Sequence, residues 1–149
     1  MVLRRIIAIN SQGFISFIRE ALIDGTGHQR LGLELTKKFW HFVQKKAYIL
    51  DEINTHTPCL VDSDYGGSNI LMQVTQKGWT VSGILDWEFA YSGSTLADIG
   101  HILRYPLSAK NRFEQNLIDG FVENGGFFPI KWKAMSKLLD LLAWVEFLN

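Results

Sequence analysis

Asp64 and Asn69 stand five residues apart on a polar, glycine-bearing loop, and Asp86 follows after two strand-like runs. With Asp62 and Glu88 flanking them, four acidic groups and one side-chain amide fall on the two loops of the stretch from Cys59 to Glu88. Oxygen donors grouped on turns at strand ends suit a hard divalent cation such as Mg²⁺, whose ligands are carboxylates, amide oxygens, water and phosphate.

Such a cluster needs elements that bring distant residues together. Ile70 to Val74 and Thr80 to Leu85 alternate as strands and are joined by a turn around Gln76-Lys77-Gly78. A hairpin of that form returns Asn69 and Asp86 to one edge. Pro58 biases its predecessor to extended geometry and opens a short strand, Cys59 to Val61. Cys59 at its head reads as a small core residue, and Trp87 also reads as core.

The flanks are helical in pattern. Apolar residues recur at three- and four-residue spacing from Phe14 to Ile23, and Asp24-Gly25-Thr26-Gly27 ends that run, with glycine expected in the left-handed conformation. A longer helix is expected from Arg30 to Ile49, with Leu31, Leu35, Phe39, Phe42, Val43 and Ile49 inward and Lys37, Lys38, Lys45 and Lys46 solvated. His28 and His41 have no partner at metal-ligand spacing. Beyond Glu88 the pattern reads as helix throughout: from a cap at Ser94 or Thr95 to Leu103, from Lys110 to Glu123, and from Lys131 to Leu148. Val2 to Ile9 reads as an edge strand or the remnant of something longer.

Composition narrows the class. With 149 residues, 47% of them apolar, one core in one domain spanning 1–149 is expected. Fifteen basic residues balance fifteen acidic ones, so no field draws the whole molecule to nucleic acid or to an anionic membrane. The apolar run after Arg4 and Arg5 stops after four residues, short of a signal core, and no window approaches the roughly 18 apolar residues of a membrane span. A cytoplasmic location follows as an expectation, and the single cysteine fits it.

The central residues resemble a known family. Leu60-Val61-Asp62-Ser63-Asp64-Tyr65-Gly66-Gly67-Ser68-Asn69, then Gly83-Ile84-Leu85-Asp86-Trp87-Glu88, then Leu96-Ala97-Asp98-Ile99, is similar to the aminoglycoside phosphotransferase and choline kinase group, which shares the protein-kinase-like fold. Three motifs in that order, from Pro58 to Arg104, make a specific signal. Two positions depart from the family pattern: its histidine is Asp62 here and its glycine is Ser63.

The resemblance implies an α+β, mainly helical fold: the C-terminal lobe of a protein-kinase-like protein, with a small hairpin carrying the catalytic and metal loops. It implies Asp64 as the group that orients the acceptor hydroxyl and takes its proton, with Asn69 and Asp86 as metal ligands. Asp98 is implied as support behind the catalytic loop. Asp62 and Glu88 are read as supporting, Asp62 as a turn cap and Glu88 as a partner for an arginine such as Arg104. Mg²⁺ and ATP are the implied cofactors, and a small-molecule hydroxyl is the implied substrate.

No glycine-rich loop or strand-borne lysine with a pairing glutamate precedes Cys59, so the nucleotide-clamping N-terminal lobe is expected to be absent and activity in isolation impaired. A non-catalytic interaction module of the same fold is the alternative, with self-association or a partner on the surface left uncovered. A metal-dependent phosphohydrolase is a third reading.

Overall fold

The computed structural model describes residues 10–55, 58–105 and 112–148. The architecture is α+β and mainly helical. The expected strand at Val2 to Ile9 and the start of the helix expected from Lys110 lie outside the described residues.

Helix α1 (Ser11–Arg19) begins where Asn10 caps it, its Oδ1 accepting the Gly13 N–H at 2.8 Å. It buries Phe14 and Ile18 and continues into a π-helical turn, Glu20–Asp24, which buries Ala21 and Leu22. Gly25 ends that turn with φ −93°, so the expected left-handed closure is not what stops it. The helix expected over residues 30–49 is three elements: α2 (Gly27–Leu31), α3 (Leu33–Lys46) and a 3-10 segment, Ala47–Thr55. The break lies at Gly32, whose φ of 75° suits a residue without Cβ. That break rotates the stripe. Val43, Ala47 and Leu50 are buried, whereas Leu35 and Phe42, expected inside, are exposed.

Two small antiparallel ladders follow. Strand β1 (Cys59–Val61) pairs with β4 (Tyr91–Gly93), Val61 opposite Tyr91, and β2 (Ile70–Thr75) pairs with β3 (Gly78–Ile84), with an irregularity at Leu71/Met72. β4 corrects the expectation of unbroken helix after Glu88. Three residues carry too little periodicity to announce a strand, and the β1 edge supplies the hydrogen bonds that make them one. The ladder closes the chain between Val61 and Tyr91 into a loop whose tip is the β2–β3 hairpin.

Helix α4 (Leu96–Ile102) starts after Ser94, whose Oγ accepts the Leu96 N–H at 3.3 Å. It packs on α6 (Trp132–Glu146), while α5 (Phe113–Glu123) buries no residue fully. The core is one helical cluster: Phe14, Ile18 and Leu22 of the first segment, Val43 and Leu50 of the second, Leu96 of α4, and Met135, Leu138, Leu139, Leu142 and Val145 of α6. The hairpin contributes nothing to it. The site is therefore carried outside the core and fixed through β1 and α4. No described helix is long and apolar enough to cross a membrane.

Candidate active site

Strand β1 runs out of the core at Val61 and turns at Asp62-Ser63-Asp64. Asp98, in the first turn of α4, holds that turn: its Oδ2 accepts the Asp62 N–H and its Oδ1 the Ser63 N–H, each at 2.9 Å. Asp62 is only 1% exposed, and its Oδ1 accepts the Asp64 N–H at 3.0 Å, a side chain mimicking a backbone turn. Its Oδ2 has no hydrogen-bond partner among the described residues. Asp62 thus faces the backbone of Asp64 through this bond. Ser63, where the family pattern has glycine, adopts φ 74°.

Burial is the largest influence on Asp98 and pushes its carboxyl above the ordinary aspartate value, while the two backbone N–H groups pull it down. Tyr91 on β4 is raised as well, by burial first and by the charge of Asp98 second.

Asp64 and Asn69 meet across the loop. Asn69 Nδ2 donates to the Asp64 carbonyl oxygen and to Asp64 Oδ2, both at 3.0 Å. Two acceptors on one side of the amide identify that side as nitrogen, leaving Asn69 Oδ1 with no protein donor among the described residues. Asn69 closes a 3-10 turn, Gly67–Asn69, and its own carbonyl accepts the Leu85 N–H at 2.8 Å. Asp86, next in the chain, therefore sits at the same end of the hairpin as Asn69. It is exposed, adopts the left-handed conformation (φ 68°, ψ 44°), and its carboxylate makes no hydrogen bond among the described residues. Aspartate tolerates that conformation better than most residues do.

Glu88, in the 3-10 turn Trp87–Phe89, is exposed. The arginine expected beside it is engaged elsewhere, because Arg104 pairs with Asp140 of α6 at 2.7 Å. Trp87 is exposed rather than core, its indole N–H donating to the Ile84 carbonyl at 2.9 Å. Cys59 is half-buried, with Sγ 3.3 Å from the Gly93 carbonyl oxygen.

His101 was not singled out by the sequence. It lies three residues after Asp98 on α4, with Nε2 3.3 Å from Asp64 Oδ1. The signal available was helical spacing: a residue at i+3 from one that supports the loop shares its face. Asp140, a buried carboxylate within an apolar stripe, was the other missed residue.

Among the described residues no three His, Cys, Asp or Glu side chains form a metal-holding group. The donor set still fits Mg²⁺, which keeps several waters and takes one or two protein oxygens together with substrate phosphates. Asn69 Oδ1 and the Asp86 carboxylate are two such oxygens at one hairpin end. A cleft of about 600 Å³ walled by Phe39, Phe42, Leu141 and Trp144 is lined by none of Asp64, Asn69 or Asp86.

A family model described as "Phosphotransferase enzyme family" matches residues 17–135, a span that contains Asp62, Asp64, Asn69, Asp86, Glu88, Asp98 and His101. No curated protein matches the chain.

Proposed function

This chain belongs to the phosphotransferase enzyme family, and on that premise we propose that it transfers the γ-phosphoryl group of ATP to a hydroxyl of a small molecule, as a C-terminal lobe of the protein-kinase-like kind. The observation that carries the reading is the pair of bonds from Asn69 to Asp64. They hold the carboxylate of one and leave the amide oxygen of the other without a donor among the described residues.

Asp64 is about half exposed, so an acceptor can reach it. Its carboxylate orients the acceptor hydroxyl and takes the proton as the acceptor oxygen bonds the γ-phosphorus and the electron pair of the breaking bond leaves with ADP. Asn69 and Asp86 would hold Mg²⁺, which supplies charge neutralisation at the phosphates when bound. Asp98 and Asp62 hold the turn that presents Asp64, so their contribution is positioning. Glu88, exposed beside Asp86, lends negative charge to the same end of the hairpin.

Incubating the chain with Mg²⁺-ATP and a panel of aminocyclitol and amino-alcohol acceptors, and measuring ADP release, tests the proposal. Acceptor-dependent release that Asp64→Asn abolishes supports it; release that survives in that variant contradicts Asp64 as the base.

An interaction module is the second reading, favoured by the surface of the hairpin: Trp79 is 70% exposed and Val74 69%, with Leu71, Met72 and Val81 beside them. Light scattering after size exclusion separates the two. Concentration-dependent association lost in Trp79→Ser favours the module, and a monomer at all concentrations contradicts self-association.

A further inference from the structure

We propose that His101 is a positioning residue for Asp64, a neutral imidazole whose tautomer is set by Arg104 and Asp140. This rests on the reading of Asp64 as the group that orients the acceptor. Arg104 Nη2 lies 3.2 Å from His101 Nδ1. A guanidinium only donates, so Nδ1 must present its lone pair, and the ring proton belongs to Nε2. That nitrogen is the one facing Asp64 Oδ1 at 3.3 Å, within hydrogen-bond reach.

Arg104 is itself fixed. Its Nε lies 3.0 and 3.2 Å from the two oxygens of Asp140 and its Nη2 2.7 Å from Oδ1, with the two side chains 11% and 6% exposed. The guanidinium also sits 4.9 Å from the centroid of the Trp144 ring. A bidentate pair held this way has one orientation.

The chain of contacts Asp140–Arg104–His101–Asp64 therefore runs from α6, in the helical core, to the loop outside it. His101 addresses Oδ1 of Asp64 and Asn69 addresses Oδ2, so the plane of the carboxylate is held from both sides. A neutral donor suits this position. A cation there would stabilise the carboxylate and weaken it as a proton acceptor.

Two measurements on the full chain test this. Long-range ¹H–¹⁵N correlation of the imidazole rings at neutral pH reads the tautomer directly. The Nε2–H pattern for His101, lost in Arg104→Met, is the expected result; an Nδ1–H pattern, or no change in Arg104→Met, overturns the relay. In steady-state transfer from Mg²⁺-ATP, His101→Leu is expected to lower kcat by about 10- to 100-fold with KM for ATP unchanged, as slight misplacement of a reacting group does. His101→Gln, which keeps an N–H near the Nε2 position, is expected to recover most of it. Unchanged kcat in the leucine variant, or a glutamine variant no better than leucine, overturns the positioning role. A wild-type chain that turns over none of the acceptors contradicts the phosphoryl-transfer reading instead, and the ring spectrum then decides the relay by itself.

Discussion

Gly100 of α4 approaches Ser136 of α6 so closely that a Cβ at Gly100 would stand 2.2 Å from the Ser136 carbonyl oxygen. The obstacle is backbone, which cannot rotate away, so the two helices meet at this distance only because residue 100 is glycine. Asp98 and His101, on either side of it, reach the Asp62–Asp64 turn from that seat. Gly100→Ala is predicted to destabilise the fold by about 1–3 kcal/mol, overpacking outweighing the roughly 1 kcal/mol that alanine gains over glycine in a helix. Urea denaturation checks it, and an unchanged or raised midpoint would contradict the close packing.

Asp98→Asn is predicted to cost about 1–3 kcal/mol near neutral pH, since the amide nitrogen must face one of the two N–H groups that the carboxylate now accepts. The deficit should depend on pH. Asp98 binds its proton more tightly in the folded state than at its ordinary 3.8, chiefly through burial. Its contribution to stability is therefore greatest below 3.8 and falls as pH rises through the folded-state value. Asparagine does not titrate, so the deficit of the variant should shrink as pH rises from below 3.8 toward neutrality. Paired denaturation curves across that range read the sign, and a deficit that grows with pH would show the two N–H bonds outweighing burial.

Ser63 holds φ 74°, a conformation that costs a residue bearing Cβ about 1–2 kcal/mol. Ser63→Gly is therefore predicted to stabilise the protein by about 0.5–1 kcal/mol, after the flexibility that glycine adds to the unfolded chain. A lower thermal midpoint would contradict this, showing that the serine hydroxyl contributes more than the backbone strain costs.

Asp140→Leu should be among the most damaging single changes, at about 3–5 kcal/mol, because it leaves the guanidinium of Arg104 buried without its partner. Adding Arg104→Met should recover most of the loss. A double-mutant cycle in urea measures the coupling, and additive effects would contradict it.

The meeting of Asn69 with Asp64, and of Asn69 with Asp86 at one hairpin end, was legible because these residues lie on two turns joined by a hairpin whose strands alternate and whose turn carries Gln76-Lys77-Gly78. Strand β4 was not legible, because Tyr91-Ser92-Gly93 is a strand only in the presence of β1. The break at Gly32 was hidden for the opposite reason: apolar spacing runs on across it, and one glycine within a helical pattern is ambiguous. His101, Arg104 and Asp140 were legible as helix residues but not as a set, since the contact of α4 with α6 is what brings them into line. Exposed Trp87 and Trp79 were misread or passed over because aromatic content predicts burial only on average.

On the proposed function, Asn69 and Asp86 converge on one nucleotide-bound cation, and paramagnetic broadening measures that most directly. In an ¹⁵N-labelled chain titrated with Mn²⁺-ATP, the amides of Asn69, Leu85 and Asp86 should broaden first, and Asp86→Ala should abolish the effect. Uniform broadening, or none at millimolar nucleotide, would contradict the assignment of these two residues as the metal ligands.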